Sequence, residues 1–252
     1  MSLINCTLTE NVARSLANSW TAPRGSVGGA IASLGGTVAA RSCTLASNEV
    51  VEPFADPFGG AGALGGGCYN AGGDFTLVNC ILAGNVVNTN ESVNAAGLIG
   101  DLGHNLSSDA TPAFHANGSQ NNINPGLGQL AFYGGLTPTL PLLRGSAALD
   151  TADAAQCPPT DQRGLPRPFG AGCDIGAVEQ QPLHRITSLE QIGDSVRLWG
   201  SGLPNVSFTV QATTDFPLWT PVGSGVIGTD GALDMTLPAD SSTHLFFRLV
   251  TP

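Results

Sequence analysis

The sequence contains no lysine and has few charged and few aromatic residues. All nine basic residues are arginine, charged residues make up 11% of the chain and aromatic residues 6%. The absence of lysine excludes Schiff-base chemistry and a lysine general base. With a net charge of −10, the chain lacks the cationic surface that nucleic-acid binding requires, so no nucleic-acid partner is expected.

Long apolar runs are also missing. No stretch of about 18 apolar residues occurs, which predicts no membrane-spanning helix. Residues 1–11 lack the charged start and apolar run of a signal peptide. Apolar residues nowhere keep helical spacing for more than about two turns. The 34 glycines and the many Ser, Thr and Asn residues instead favour short strands joined by tight turns.

A repeat of 37 residues organises the first part of the chain. It aligns INCTLTEN at 4–11 with RSCTLASN at 41–48 and VNCILAGN at 78–85. Each unit reads as three short strands separated by turns, without a helix. We therefore predict an all-β fold, a right-handed parallel β-helix in which each strand pairs with its equivalent one coil later.

Three ladders of equivalent residues follow from this register. They are Cys6, Cys43 and Cys80; Leu8, Leu45 and Leu82; and Asn11, Asn48 and Asn85. Strand alternation places the cysteines and leucines inside the coil. The asparagines end the third strand, where an amide can bond the next coil, and a ligand-binding row of asparagines is the alternative.

Residues 12–27 and 50–64 are predicted to be loops leaving one corner of the coil. They contain Trp20, Phe54 and Phe58. Packing onto the coil is one interpretation of these aromatic residues, and an exposed surface that stacks against sugars is the other.

After Val93 the repeat fades, and residues 97–179 resemble the closing element of the bacterial β-helix proteins called choice-of-anchor Q. The segments that carry the resemblance are GGLTPT at 134–139, GSAALD at 145–150, DQRG at 161–164 and CDIGAVE at 173–179. With the coils, the resemblance covers about residues 1–180. It implies an exported passenger with variable anchors and no common reaction.

Cys157 and Cys173 flank the DQRG loop and lie 16 residues apart. In an exported protein whose other cysteines belong to the coil, this arrangement predicts a disulfide that holds the loop. A zinc site would need more closely spaced Cys or His ligands.

The densest charged cluster lies in the same closing segment. Its members are Asp150, Asp153, Asp161, Arg163, Arg167, Asp174 and Glu179. We predict a structural role, with Arg163 pairing with Asp174 or Glu179. The alternatives are a Ca²⁺ site formed by Asp150, Asp153, Asp161 and Asp174, or two carboxylates of a glycosidase. No other cofactor is expected.

Residues 183–252 form a second predicted domain, a small antiparallel β-sandwich. Alternation in SVRLWG, SFTVQAT and LFFRLV predicts six or seven short strands. The segment resembles the fibronectin-like C-terminal repeats of exported bacterial proteins. Trp199 and Trp219 are predicted core residues, and a carbohydrate-binding platform is the alternative.

Charged residues do not align between coils, since Glu10 meets Ser47 and Gly84 at the 37-residue step. We therefore predict a non-catalytic extracellular or cell-surface module that is adhesive or binds a polysaccharide or surface glycan. Because the chain opens within a repeat, it is expected to be a fragment of a longer exported protein with its signal upstream. The alternative function is a polysaccharide lyase or glycoside hydrolase of the β-helix class.

Overall fold

The structure, a computed structural model, describes residues 1–14, 26–52, 63–88, 91–181, 184–202, 207–228, 232–238 and 245–250. The chain divides into two units, Met1–Gln180 and Gln181–Pro252. Within the described ranges the regular structure is β-strand, apart from a short 3-10 helix at Ala154–Gln156. None of the helical structure there is long and apolar enough to cross a membrane.

Short strands rich in Val, Ile, Leu and Thr form the first unit. In chain order they are β1 (Ser2–Ile4), β2 (Thr7–Thr9), β3 (Val12–Arg14), β4 (Ile31–Ser33), β5 (Thr37–Arg41), β6 (Thr44–Ala46), β7 (Glu49–Val51), β8 (Cys68–Asn70), β9 (Asp74–Val78), β10 (Ile81–Ala83), β11 (Val86–Val87), β12 (Glu91–Ser92), β13 (Ala95–Gly97), β14 (Gly100–Asp101) and β15 (Leu106–Ser107).

These strands pair in four parallel stacks. The stacks are β1-β5-β9-β14, β2-β6-β10-β15, β3-β7-β11 and β4-β8-β13, and β12 pairs antiparallel with β11 at an edge. The register follows the repeat, since Leu8 pairs with Leu45 and Leu45 with Leu82. The predicted all-β class is thus confirmed, with parallel sheets in the first unit.

The prediction of three strands per coil is wrong, because a fourth strand follows each ladder asparagine. Val12–Arg14, predicted as the start of a loop, pairs in parallel with Glu49–Val51. The last described coil is also shorter than the repeat, since Cys68 pairs with Ala95 and Ile81 with Leu106. The coil therefore continues past the point at which the sequence repeat fades.

Inward-facing apolar side chains fill the coil. The buried set is Ile31, Val38, Ala40, Cys43, Leu45, Cys68, Phe75, Leu77, Cys80, Leu82, Ala95, Ile99 and Phe114. A second apolar cluster packs residues of the closing segment, including Leu140, Leu142 and Ile175, against Ile81 and Leu106. We call residues 122–180 the cap, because this cluster joins them to the coil.

Six described strands form the second unit, in two antiparallel sheets. One sheet contains β16 (His184–Ile192), β17 (Ser195–Gly202) and β20 (Ala232–Pro238), and the other contains β18 (Ser207–Thr213), β19 (Thr220–Val226) and β21 (Phe246–Val250). Their buried core is Val196, Leu198, Phe208, Val210, Ile227, Leu233 and Leu237.

Neither Trp199 nor Trp219 is fully buried, so the prediction that both are core residues is wrong. Leu198 points into the core, and alternation along β17 turns its neighbour Trp199 outward. An arginine side chain lies over each indole ring, Arg197 over Trp199 and Arg248 over Trp219.

Candidate functional site

The four aspartates considered for Ca²⁺ each accept hydrogen bonds from the protein itself. Asp150 accepts from the Gly172 N–H at 2.9 Å, and Asp153 caps the 3-10 helix by accepting from the Ala155 N–H at 2.9 Å. Asp161 and Asp174 likewise accept main-chain N–H groups. Across the described part of the chain, no three His, Cys, Asp or Glu side chains come together as a metal site. The structure therefore does not assemble these aspartates into a Ca²⁺ site.

The predicted pairing of Arg163 with the side chain of Asp174 or Glu179 is wrong. Arg163 forms an ion pair with Asp161 at 2.7 Å and also donates to the Glu179 main-chain carbonyl. The carboxylate of Glu179 instead accepts from Arg167 at 3.1 Å. The reason is local geometry. The turn at 161–164 brings the Arg163 guanidinium back onto the aspartate two residues earlier.

Arg167 and Glu179 form a buried ion pair at the centre of the cap. Arg167 also donates to the main-chain carbonyls of Asp174 at 2.8 Å and Gly176 at 2.7 Å. Glu179 accepts from the main-chain N–H groups of Phe169 and Asp174. Each charge is therefore neutralised and hydrogen-bonded, as buried charges must be.

Burial dominates the acid–base behaviour of these groups. It raises the pKa of Asp174 to about 6, with the charges of Glu179 and Asp150 adding to the effect, although N–H groups of Asp150 and Gln180 act in the opposite direction. Burial also raises the pKa of Glu179 and lowers that of Arg167. The Asp174 and Glu179 carboxylates are thus bound within the protein rather than directed at a ligand, which favours the structural interpretation of the cluster.

Cys157 and Cys173 form the predicted disulfide, which closes a loop of sequence separation 16. Inside this loop lie Asp161, Arg163 and Arg167. The covalent link and the buried ion pair therefore hold the same segment.

The asparagine ladder forms one continuous hydrogen-bonded row. The Nδ2 of Asn11 donates to the Oδ1 of Asn48, and Asn48 donates to Asn85 in the same way, each at 2.8 Å. The row continues beyond the repeat, because Asn85 donates to Asn94 at 2.8 Å and the Asn94 N–H donates to the buried carboxylate of Asp109. Asn94 and Asp109 were not predicted, because they do not follow the 37-residue step. Since the amides bond one another, the row is structural.

The thiols of the cysteine ladder are also structural. Cys43 and Cys80 are buried and Cys6 is half-buried at the edge of the coil. A hydrogen bond with Cys43 and burial raise the pKa of the Cys6 thiol. Burial raises the pKa of Cys68, which aligns with Ile31, to about 12. Protonated thiols are poor nucleophiles, so Cys6 and Cys68 act as small apolar side chains.

Trp20, Phe54 and Phe58 lie outside the described residues. The interpretation of these aromatic residues as a sugar-stacking surface therefore stays a prediction.

A groove of about 570 Å³ lies between the coil and the cap, and we call it the corner groove. It is lined by Ala46, Ser47, Ala83, Gly84, Ser108, Asn122, Asn124, Pro125, Leu127, Gly128 and Leu140. One side is the corner that follows β6, β10 and β15, and the other is the start of the cap. A pocket of this volume matches those that hold small ligands.

Left-handed backbone shapes both sides of the corner groove. Ser47 has φ 55°, Gly84 has φ 60° and Asn122 has φ 56°. The Gly84 N–H donates to the Ser108 Oγ at 2.9 Å, which holds the two corners together. A Cβ added at Gly84 would have no atom within 4 Å, so the groove is open above this residue.

The corner groove presents hydroxyl and amide groups beside apolar surface. Its eleven lining residues include no Asp, Glu, His, Cys or Arg. It can therefore offer hydrogen-bond donors and acceptors to a neutral ligand, while these side chains supply neither a general acid nor a general base. The sequence does not reveal this site, because its walls come from segments almost a hundred residues apart.

Comparison of the chain with protein-family models, with curated proteins and with solved structures found no match. The resemblance to choice-of-anchor Q proteins stays a prediction.

Proposed function

We propose that this chain is a non-catalytic, extracellular or cell-surface β-helix module that binds a neutral glycan. The observation that carries the proposal is the corner groove, which combines Ser and Asn side chains with Pro and Leu surface. Sugars present hydroxyl groups and apolar C–H faces together. A groove with both kinds of surface complements them, and its volume accommodates a short stretch of sugar units.

An extracellular location agrees with the Cys157–Cys173 disulfide, because disulfides persist in oxidising compartments. The charged cluster of the cap supports the same proposal. Asp161, Asp174 and Glu179 accept hydrogen bonds from main-chain N–H groups, and two of these carboxylates also pair with an arginine. A polysaccharide-cleaving enzyme would need acids or bases beside its substrate, and the corner groove lining supplies none.

The test exposes the whole chain to neutral and acidic polysaccharides, with and without Ca²⁺, and measures retention and newly formed reducing or unsaturated ends. We expect retention on a neutral polymer without new ends. Ser47→Arg, which places a long side chain in the corner groove, should weaken retention about tenfold or more.

Glu10→Arg is the matched control. Glu10 occupies the equivalent corner one coil earlier, has φ 57° and does not line the groove. It should retain the neutral polymer as the unaltered chain does. Cleavage of any polymer would favour the enzyme alternative, and equal retention by Ser47→Arg would remove the corner groove as the site.

A further inference from the structure

An aromatic cluster lies on the outer face of the sheet formed by β18, β19 and β21. The Phe216 ring is 4.2 Å from the Phe246 ring, centroid to centroid, and 6.3 Å from the Trp219 ring, which it meets edge-on. Val210 points into the core, so alternation turns Gln211 and Thr213 to the outer face. Phe246 pairs with Thr213, which places the cluster at one end of this face.

The cluster is exposed although its side chains are large and apolar. Phe216 is 57% exposed and Phe246 43%. Contiguous exposed apolar surface of this kind marks interaction sites on soluble proteins.

The backbone holds Phe216 in an unfavourable conformation. Its φ is 69°, in the left-handed region that a bulky residue rarely adopts. The Thr213 Oγ1 accepts hydrogen bonds from the N–H groups of Asp215 and Phe216, which stabilise the turn. Strain maintained by surrounding contacts is characteristic of functional sites.

A guanidinium group stands beside the rings in a fixed position. The Cζ of Arg248 is 4.3 Å from the Trp219 ring centroid, and its Nε donates to the Gln211 Oε1 at 2.9 Å. No ion pair of Arg248 occurs within the described ranges, whereas Arg197 in the other sheet pairs with Asp234. The carboxylate of the neighbouring Asp215 accepts from the Thr213 hydroxyl. In a chain of net charge −10, Arg248 is thus an oriented cation held by neutral groups.

We propose that this face is a binding site for an anionic glycan. A sugar ring packs its C–H face against Phe216 and Phe246, and its carboxylate or sulfate group pairs with the terminal nitrogens of Arg248. The planar guanidinium matches the geometry of such anions, and its positive charge complements theirs. The proposal is independent of the corner groove, which carries no charge.

The experiment measures retention of the whole chain on polygalacturonate, dextran sulfate and neutral dextran. We expect retention on at least one of the two anionic polymers, and the preferred polymer distinguishes a carboxylate from a sulfate ligand. Phe216→Gly removes the ring and permits the left-handed backbone, so it should weaken retention about tenfold without lowering the unfolding temperature. Arg248→Gln should weaken it by a similar factor.

Arg197→Gln is the matched control, because Arg197 also lies over a tryptophan but already has a carboxylate partner. It should leave retention unchanged. The proposal is overturned if no anionic polymer is retained, if Phe216→Gly binds as well as the unaltered chain, or if all three variants weaken binding equally through general charge. Ser47→Arg should not reduce retention on the anionic polymer, so failure of the corner groove and failure of this site remain distinguishable.

Discussion

Two arginine–carboxylate pairs, one in each unit, occupy opposite surroundings. The side chains of Arg167 and Glu179 in the cap have no exposed surface, while those of Arg197 and Asp234 in the second unit are 41% and 49% exposed. In the cap, each group also bonds to the main chain, so the pair joins Asp174, Gly176 and Phe169. In the second unit, water can replace either partner. The ion pair in the cap is therefore expected to matter for stability, while the one in the second unit should contribute almost nothing to the stability of that unit.

The largest effect is expected for Arg167→Met. It leaves Glu179 charged and buried and removes the donors to two main-chain carbonyls, which should cost about 3 to 5 kcal/mol. Native-state hydrogen exchange, read by mass spectrometry on peptides from 160–180, measures the free energy of local opening. Adding Glu179→Gln to Arg167→Met should recover part of the loss. A single-variant cost below about 1 kcal/mol would contradict the structural role of the pair.

A smaller effect is expected when both disulfide cysteines become serine. The bond closes a loop of sequence separation 16, and loss of such a constraint costs about 3 kcal/mol in the chain-entropy account. The same exchange measurement should show faster opening of the cap in Cys157→Ser/Cys173→Ser. The unaltered chain in reductant should behave like the variant, and the prediction fails if reduction leaves exchange in the cap unchanged.

The raised pKa of Asp174, about 6, predicts a pH dependence in the cap. In the unfolded chain this carboxyl titrates at its ordinary, lower value, so folding takes up a proton between the two pKa values. Its contribution to stability is full below the unfolded pKa and is lost as pH rises through about 6.

Asp174→Asn should therefore cost more at about pH 4.5 than at about pH 7.5, by at most about 2 kcal/mol. Exchange of cap peptides at the two pH values measures the difference. If Asp174→Asn costs the same stability at both pH values, Asp174 titrates at its ordinary pKa and the prediction is wrong.

The smallest effect is expected for Arg197→Gln. Because its ion pair is exposed, the unfolding temperature of the second unit should not change measurably. Circular dichroism during heating tests this, with Leu198→Ala as the core control from the same strand. A clear loss of stability in Arg197→Gln would remove the contrast between the two pairs.

Much of the first unit follows from the repeat in the sequence. In-register parallel strands place residues of the same kind above one another, so the Cys, Leu and Asn ladders were predictable from spacing alone. The fourth strand of each coil was not predictable in this way, because Val12–Arg14 continues directly from the ladder asparagine into a segment of loop-like composition. The orientation of Trp199 could have been predicted, since alternation from Leu198 already turns it outward.

The sequence by itself determined the 37-residue register, the faces of the coil strands and the candidate disulfide, because these depend on local alternation and regular spacing. Only the tertiary structure decided that Arg167 rather than Arg163 pairs with the Glu179 carboxylate. The same holds for the extension of the asparagine row by Asn94 and Asp109. It also holds for the shared face of Phe216 and Arg248. The tertiary structure also forms the corner groove, whose lining brings together residues as far apart in the sequence as 46 and 140. Such contacts depend on where the chain returns after long excursions, and the hydrophobic pattern constrains those returns only through the packed core as a whole.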